Sequence, residues 1–300
     1  MQVSTKIFNK QSVDTFSDLT AQIQKKQEQV ASGKHLTKPS DDPVKAARVN
    51  TVKEQKAQAE QFIRNIDISS VKLSLSDSAL DEAANLVTRI YELGIQGRSD
   101  TNASGRDSLI IEMEGLLDSL RSLANSTDAS GRSIFGGFRI GDPPFEVNSA
   151  NETIFVGDRG VHKVKISNQM ELQTSVDGAS VFERVSKKDG SVASVFTLVE
   201  EMISNLGSGN LNSLPIDDLK NAASHLADQR AFIGAQMNKA DSQRAVLENR
   251  MLVLSTNIGE LEDADLGKII TDLQGLLVNK EAAQKAFARI SQLNLFDMIA

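Results

Sequence analysis

A seven-residue apolar repeat near the C-terminal end constrains this chain more than any other feature. Alternating steps of four and three residues from Leu219 visit Ala223, Leu226, Arg230, Ile233, Met237, Ala240, Arg244, Leu247, Met251, Leu254, Ile258 and Leu261. Only the two arginines interrupt the stripe, and no proline follows Pro215. A stripe this narrow belongs to a long helix that buries one seam against another helix. The chain must therefore supply a partner of similar length.

The stretch from Val52 meets that need, because every seventh residue gives Ala59, Ile66, Leu73, Leu80, Val87 and Gly94, with Ile63, Ala84 and Tyr91 interleaved. At about 1.5 Å per residue such a helix exceeds about 60 Å, which suits a rod better than a globule. The seam is expected to bury Ile66, Leu73, Leu80 and Val87 against Ile233, Leu247 and Leu254. Arg230 and Arg244 stand on seam stations, where a charge needs a counter-charge; Asp77, Glu82 and Glu92 are the candidates. Upstream, Pro39-Ser40-Asp41-Asp42-Pro43 reads as a turn that caps the helix, with Asp42 or Ser40 as N-cap and Pro43 at its first position. Gly97 to Gly105 ends the helix. A third helix, Arg106 to Ala124, carries Leu109, Met113, Leu117 and Leu120 on one face and folds back antiparallel.

The chain ends differ from this middle part. From Val13 a short, polar helix carries Phe16, Leu19, Ile23 and Val30 and stops at Gly33. Beyond Leu261 the acidic run Glu262-Asp263-Ala264-Asp265 is a kink. Ile269, Leu273, Phe287, Ile290, Leu293, Leu295 and Phe296 then lie on an apolar face wider than a two-helix seam needs, and one short helix cannot cover it. Such a surface calls for other subunits.

Between the helices, the pattern changes at Asn125. Gly136-Gly137 and Pro143-Pro144 exclude a helix, and alternation follows. Thr153 to Val156 and Val161 to Ile166 are expected to form a hairpin about Gly157 to Gly160, continuing through Glu171 to Phe182 as a small β module. A helix is expected to resume near Val192. The fold class is mainly α, an elongated antiparallel helical bundle or coiled-coil rod with a small inserted β module. The expected domains are terminal helices at 1–42 plus 262–300, a rod at 43–135 plus 192–261, and the β module at 136–191.

Composition narrows the function. With no Trp, one Tyr and 4% aromatic residues, the core is expected to rest on aliphatic side chains and Met. A net charge of -7 lacks the basic face that nucleic acids or anionic membranes require. Without cysteine, disulfides, thiol catalysis and Cys-based zinc sites are excluded. His35, His162 and His225 lack metal-ligand spacing and read as solvated. Gly207-Ser208-Gly209 lacks the third glycine and preceding strand of a dinucleotide loop. Successive carboxylates in Glu262 to Asp265 do not face one another on a helix. No catalytic residue, metal site or cofactor is expected. Met1 to Asp14 lacks the apolar core of a secretory signal, and no window suits a transmembrane helix.

Gln29-Val30-Ala31-Ser32-Gly33-Lys34, followed by Lys38 to Pro43, resembles the N-terminal signature of the flagellin superfamily. Leu261 to Asp265 and Ala283 to Phe296 are similar to its C-terminal signature. The Pro-Ser-Asp-Asp-Pro form, Asn125 to Gly137, Pro143-Pro144-Phe145 and Gly157 to Val161 are similar to the branch of that superfamily that joins hook to filament. The resemblance implies export without signal cleavage to an extracellular flagellar position. It also implies terminal segments, disordered in the monomer, that pair on assembly through Phe16, Ile23, Val30 and the C-terminal apolar face. The partners implied are other copies in a ring, a neighbouring hook-associated protein, flagellin, and a cytosolic export chaperone on the C-terminal face. By the same resemblance Arg89, Glu92, Leu93, Gln96 and Glu112 are expected at subunit contacts. The expected function is thus a structural, non-enzymatic adaptor at the hook-filament junction. Filament flagellin and a cytosolic coiled-coil scaffold are the alternatives.

Overall fold

The computed structural model describes residues 2–99, 105–139 and 141–296, with side chains from Lys6 to Arg289 outside those gaps. Its long helices are α1 (Gln2–Ser32), α2 (Pro43–Arg98), α3 (Arg106–Ala124), α5 (Val195–Gly207), α6 (Ile216–Glu262) and α7 (Leu266–Phe296). Between α3 and α5 lie six short strands and a one-turn helix, α4 (Gly178–Phe182). No helix among the described residues is long and apolar enough to cross a membrane.

The chain forms two compact units. One is Ala59–Asn249; the other joins Met1–Gln58 to Arg250–Ala300. The division falls inside α2 and α6 rather than at the loops near 42 and 262.

In the middle unit the heptad stations are the core. Ile66, Leu80, Val87 and Ile233 are wholly buried, and Leu73 and Leu247 nearly so. Ion pairs set the register of α2 against α6: Arg230 Nε lies 3.1 Å from Asp77 and a second guanidinium nitrogen bonds Asp81, while Arg244 lies 2.6 Å from Asp67. Fourteen positions forward on α6 pair with at least ten back on α2, so the helices are antiparallel. Asp77 is a counter-charge as expected. Glu82 and Glu92 are not: a seven-residue stripe puts them off the arginines' side of α2, and Glu92 pairs with Arg89 instead.

The inserted region departs from expectation in pairing. β1 (Phe145–Val147) pairs with β2 (Thr153–Phe155), β3 (Lys163–Lys165) with β4 (Glu171–Gln173), and β5 (Val185–Ser186) with β6 (Val192–Ala193), all antiparallel. The expected hairpin about Gly157 to Gly160 does not form. The reason is Asp158, whose Oδ1 accepts from the N–H of Phe138 and of Gly160, both at 2.7 Å. Those bonds fold 157–160 back on the Gly136-Gly137 turn and hold the Asp158 carboxyl below its usual pKa. Gly137 has φ of 67° and its missing Cβ would lie 2.1 Å from Asp158 Oδ1, so only glycine fits there.

The core of this region adds a cluster of phenylalanines to buried Ile166, Leu172, Val181 and Val185. Phe182 packs edge-on against Phe135 and Phe145, and Phe145 meets Phe155 and Phe196 at 5.2 and 5.1 Å. Phe135, Phe182 and Phe196 are wholly buried. The few aromatics are concentrated where short strands offer no heptad seam to bury.

Candidate assembly surface

The unit built from Met1–Gln58 and Arg250–Ala300 pairs α1 with α7. α1 begins at Gln2 and is 31 residues long, not the short helix expected from Val13. Its polar first turns hid the next station, Phe8. Half-buried or buried Phe8, Ser12, Phe16, Leu19, Ile23, Lys26 and Val30 share one face of α1, and Glu28 and Gln29 are also covered near its C-terminal end. On α7 the same holds for Ile269, Leu273, Leu276, Lys280, Ala283 and Phe287. The Phe287 ring stacks on Phe8 at 6.0 Å and meets Phe16 edge-on at 5.8 Å. Lys26 pairs with Asp272 at 2.9 Å near the other end, so the helices run antiparallel.

A two-helix pair can cover one stripe only. Ile23 and Ile269 are 6% and 4% exposed, yet on the flanks Ile7, Val13, Ile270, Leu277 and Val278 stand 42% or more exposed. Of the terminal residues expected on the assembly face, Phe16, Ile23, Val30, Ile269, Leu273 and Phe287 come together in this pair. The side chains of Ile290, Leu293, Leu295 and Phe296 lie outside the described residues.

The two signature turns, more than 200 positions apart in sequence, meet at the end of this pair. The N–H of His35 donates to Glu262 O at 2.8 Å and that of Ala264 to Gly33 O at 3.0 Å. Glu262 lies between Lys53 and Lys34, the latter at 3.2 Å. Burial raises its pKa, but the two lysines outweigh this and hold it below the usual carboxylate range. Gln29, only 4% exposed, donates to His35 O at 2.7 Å. Asp41 accepts from Lys25, Thr37 and the Lys38 N–H, and Asp42 caps α2 through the Lys45 N–H at 3.0 Å. Both aspartates are thus engaged by the turn itself. The role of Lys53 was not legible, because nothing in its spacing on α2 distinguishes it from other exposed lysines.

In the middle unit, Arg89 donates through Nε and Nη2 to Glu112 at 3.0 and 2.8 Å and reaches Glu92 at 3.5 Å. Arg89, Glu92, Gln96 and Glu112 share an exposed face. Leu93 does not. At 1% exposure it packs beneath that face, since the heptad turns it inward. His162 and His225 are half-buried rather than solvated, their Nε2 atoms 3.2 and 3.0 Å from Gly137 O and Ser180 O. Among the described residues no group of three His, Cys, Asp or Glu could hold a metal ion.

Residues 3–139 match the bacterial flagellin N-terminal helical region, and residues 216–299 the bacterial flagellin C-terminal helical region. The matched segments are the helices that carry both signature turns. This chain belongs to the flagellin superfamily. It is similar to flagellar hook-associated protein 3 of Escherichia coli (strain K12), 26% identical over 318 residues, and to that of Salmonella typhimurium, 25% identical, with 99% of each chain covered in both cases. Polar flagellin C of Vibrio parahaemolyticus is 22% identical over 250 residues, covering 79% of this chain and 63% of its own length. Among solved structures, flagellar hook-associated protein-3 from Legionella pneumophila has a TM-score of 0.67 at 15% identity, covering 71% of this chain and 98% of its own. Xanthomonas campestris FlgL has a TM-score of 0.62 at 19% identity, covering 69% and 99%. Those structures share the fold. This superfamily member is accordingly a structural flagellar protein.

Proposed function

We propose that this flagellar protein is the adaptor between hook and filament, assembling as a ring through its terminal helices. One observation carries the reading: α1 and α7 cover one stripe of each other and leave Ile270, Leu277 and Val278 facing water. End-to-end similarity to relatives named hook-associated protein 3 supports the junction role. A neighbouring hook-associated protein then contacts one side and flagellin the other, and the exposed face at Arg89, Glu92, Gln96 and Glu112 meets adjacent subunits. Before export, the termini are unpaired and a cytosolic chaperone holds the α7 face. The chain leaves the cell without signal cleavage and takes up an extracellular position. The apolar flank of α7 left uncovered in the single chain supports this sequence of events.

Leu277→Asp combined with Val278→Asp tests the reading. It is expected to stop filament growth, leaving bare hooks, while thermal unfolding of the Ala59–Asn249 unit is unchanged. Normal filaments from this variant would falsify assembly through the α7 face. Fluorescent labelling of the functional protein is expected to give a single spot at the hook end of each filament; label along the whole length would instead make it a filament flagellin.

A further inference from the structure

An apolar groove of about 940 Å3 runs along α2 in the middle unit, lined by Ile68, Val71, Leu75, Met237 and the turn at 127–132. Val71 is 70% and Ile68 62% exposed, so this face of a packed unit presents apolar side chains to water. Lys72, Asp128 and Arg132 also line an adjoining recess of about 80 Å3, which adds Ser133 and His162. Asp128 is already engaged: Oδ2 accepts from Arg132 Nε at 2.9 Å, and Oδ1 from the N–H groups of Ser130 and Arg132. The rim therefore carries a net positive charge from Lys72 and Arg132 against the single Asp128.

A surface of opposite character lies on α3. Ile111 is 69% exposed, and exposed Asp107, Glu114 and Asp118 surround it, Asp118 being paired with Arg121 at 3.0 Å. One turn beyond Ile111 is Gly115, in mid-helix with open space where a Cβ would stand. Glycine weakens a helix interior, and no neighbour among the described residues accounts for it. Gly94 and Gly97, by contrast, lie against Met202 and Leu206, which a Cβ would strike. The exposed face of α3 thus offers an apolar knob, bare backbone beside it, and a ring of carboxylates. It matches the groove in shape class and in charge.

We propose that α3 of one subunit seats Ile111 among Ile68, Val71 and Leu75 of a second copy, with Glu114 facing Lys72 and Arg132. The two surfaces cannot meet within one subunit. Glu112 bonds Arg89 at 3.0 Å, so Ile111 lies near position 89 of α2, and 89 − 71 = 18 residues separate that level from Val71, about 27 Å along the axis. Two different patches joined between copies make a head-to-tail contact that repeats from subunit to subunit, closing a ring or winding a helix. The inference rests on the proposed ring assembly and names its contacting surfaces.

The absence of native cysteine permits a direct test. Flagella are isolated from cells whose chain carries both Val71→Cys and Ile111→Cys, then oxidised mildly and run on a non-reducing gel. A disulfide needs Cα atoms within about 7 Å. A ladder of covalent oligomers is expected from the double variant and none from either single one. Both side chains are exposed, and circular dichroism of the monomer checks that helicity is kept. Double-variant protein present in flagella but free of crosslinks overturns the proposal and leaves the junction reading standing. Dimers from Val71→Cys alone also overturn it, because they require a two-fold contact. A chain that never enters flagella in its native form overturns the junction reading and this proposal together. Lys72→Glu is expected to lower incorporation about tenfold and Glu114→Lys in the same chain to restore it; failure of the second change to rescue counts against the pairing.

Discussion

The terminal unit and the middle unit are both built on long antiparallel helices, yet they satisfy their apolar residues differently. In the middle unit α2 and α6 share a seam whose Ile, Leu and Val stations are buried, α3 and α5 add a further layer, and a cluster of phenylalanines closes the inserted strands. In the terminal unit α1 and α7 meet along one stripe, and their flanks keep exposed Val13, Ile270 and Val278. A heptad repeat thus secures one contact per helix. Further faces require further layers, and among the described residues none covers Val13, Ile270 or Val278.

The sharpest way to break this comparison is to remove a ring from each unit. Phe182→Ala, at a wholly buried site, is expected to cost about 3–5 kcal/mol, whereas Phe287→Ala, on a half-buried ring, should cost less than half of that. Urea unfolding followed by far-UV circular dichroism measures both, since the chain has no Trp. Equal losses would mean that the terminal pair is packed as tightly as the middle unit. A smaller effect is expected at the turn that redirects the strands. Gly137→Ala forces a Cβ onto Asp158 at a left-handed φ, and about 1–3 kcal/mol of destabilisation should follow, read as a lower unfolding midpoint.

The smallest effect concerns pH. Glu262 has its pKa depressed in the folded chain, so its pairing with Lys34 and Lys53 adds stability that is complete above the unfolded value of about 4.3. That contribution is lost as pH falls through the lower folded value. With both lysines partly exposed, it should stay below about 1 kcal/mol. Hydrogen exchange at the amides of His35 and Ala264 is the measurement. Protection is expected to fall in acid, and Glu262→Gln should abolish that dependence while leaving the middle unit unaffected.

The helices were legible where a single period ran for many turns. From Val52 to Gly94 and from Leu219 to Leu261 the stripe repeats often enough to define both the helix and its buried face. At the N-terminal end, Ser12 and Lys26 occupy inward stations beside Phe8 and Val30, which weakened the period and hid the true start of α1. Strand pairing was not legible. Thr153 to Phe155 alternates equally well toward two possible partners, and the choice depends on the hydrogen bonds that Asp158 makes across 20 residues to Phe138. Leu93 shows the same limit at the candidate surface, because a motif places it among exposed neighbours and only packing reveals that it points inward.

Residue spacing alone determined that this chain is mainly helical, that Val52 to Gly94 and Leu219 to Leu261 need one another, and that the apolar face beyond Asp265 exceeds what one partner can cover. These are consequences of local periodicity, which a linear sequence carries in full. Tertiary structure decided that Glu262 answers Lys34 and Lys53, that the phenylalanines gather beside the short strands, and that Gly115 faces open space. Each of these depends on contacts between segments far apart in the chain, and periodicity along one segment holds no information about which distant side chain will close the contact.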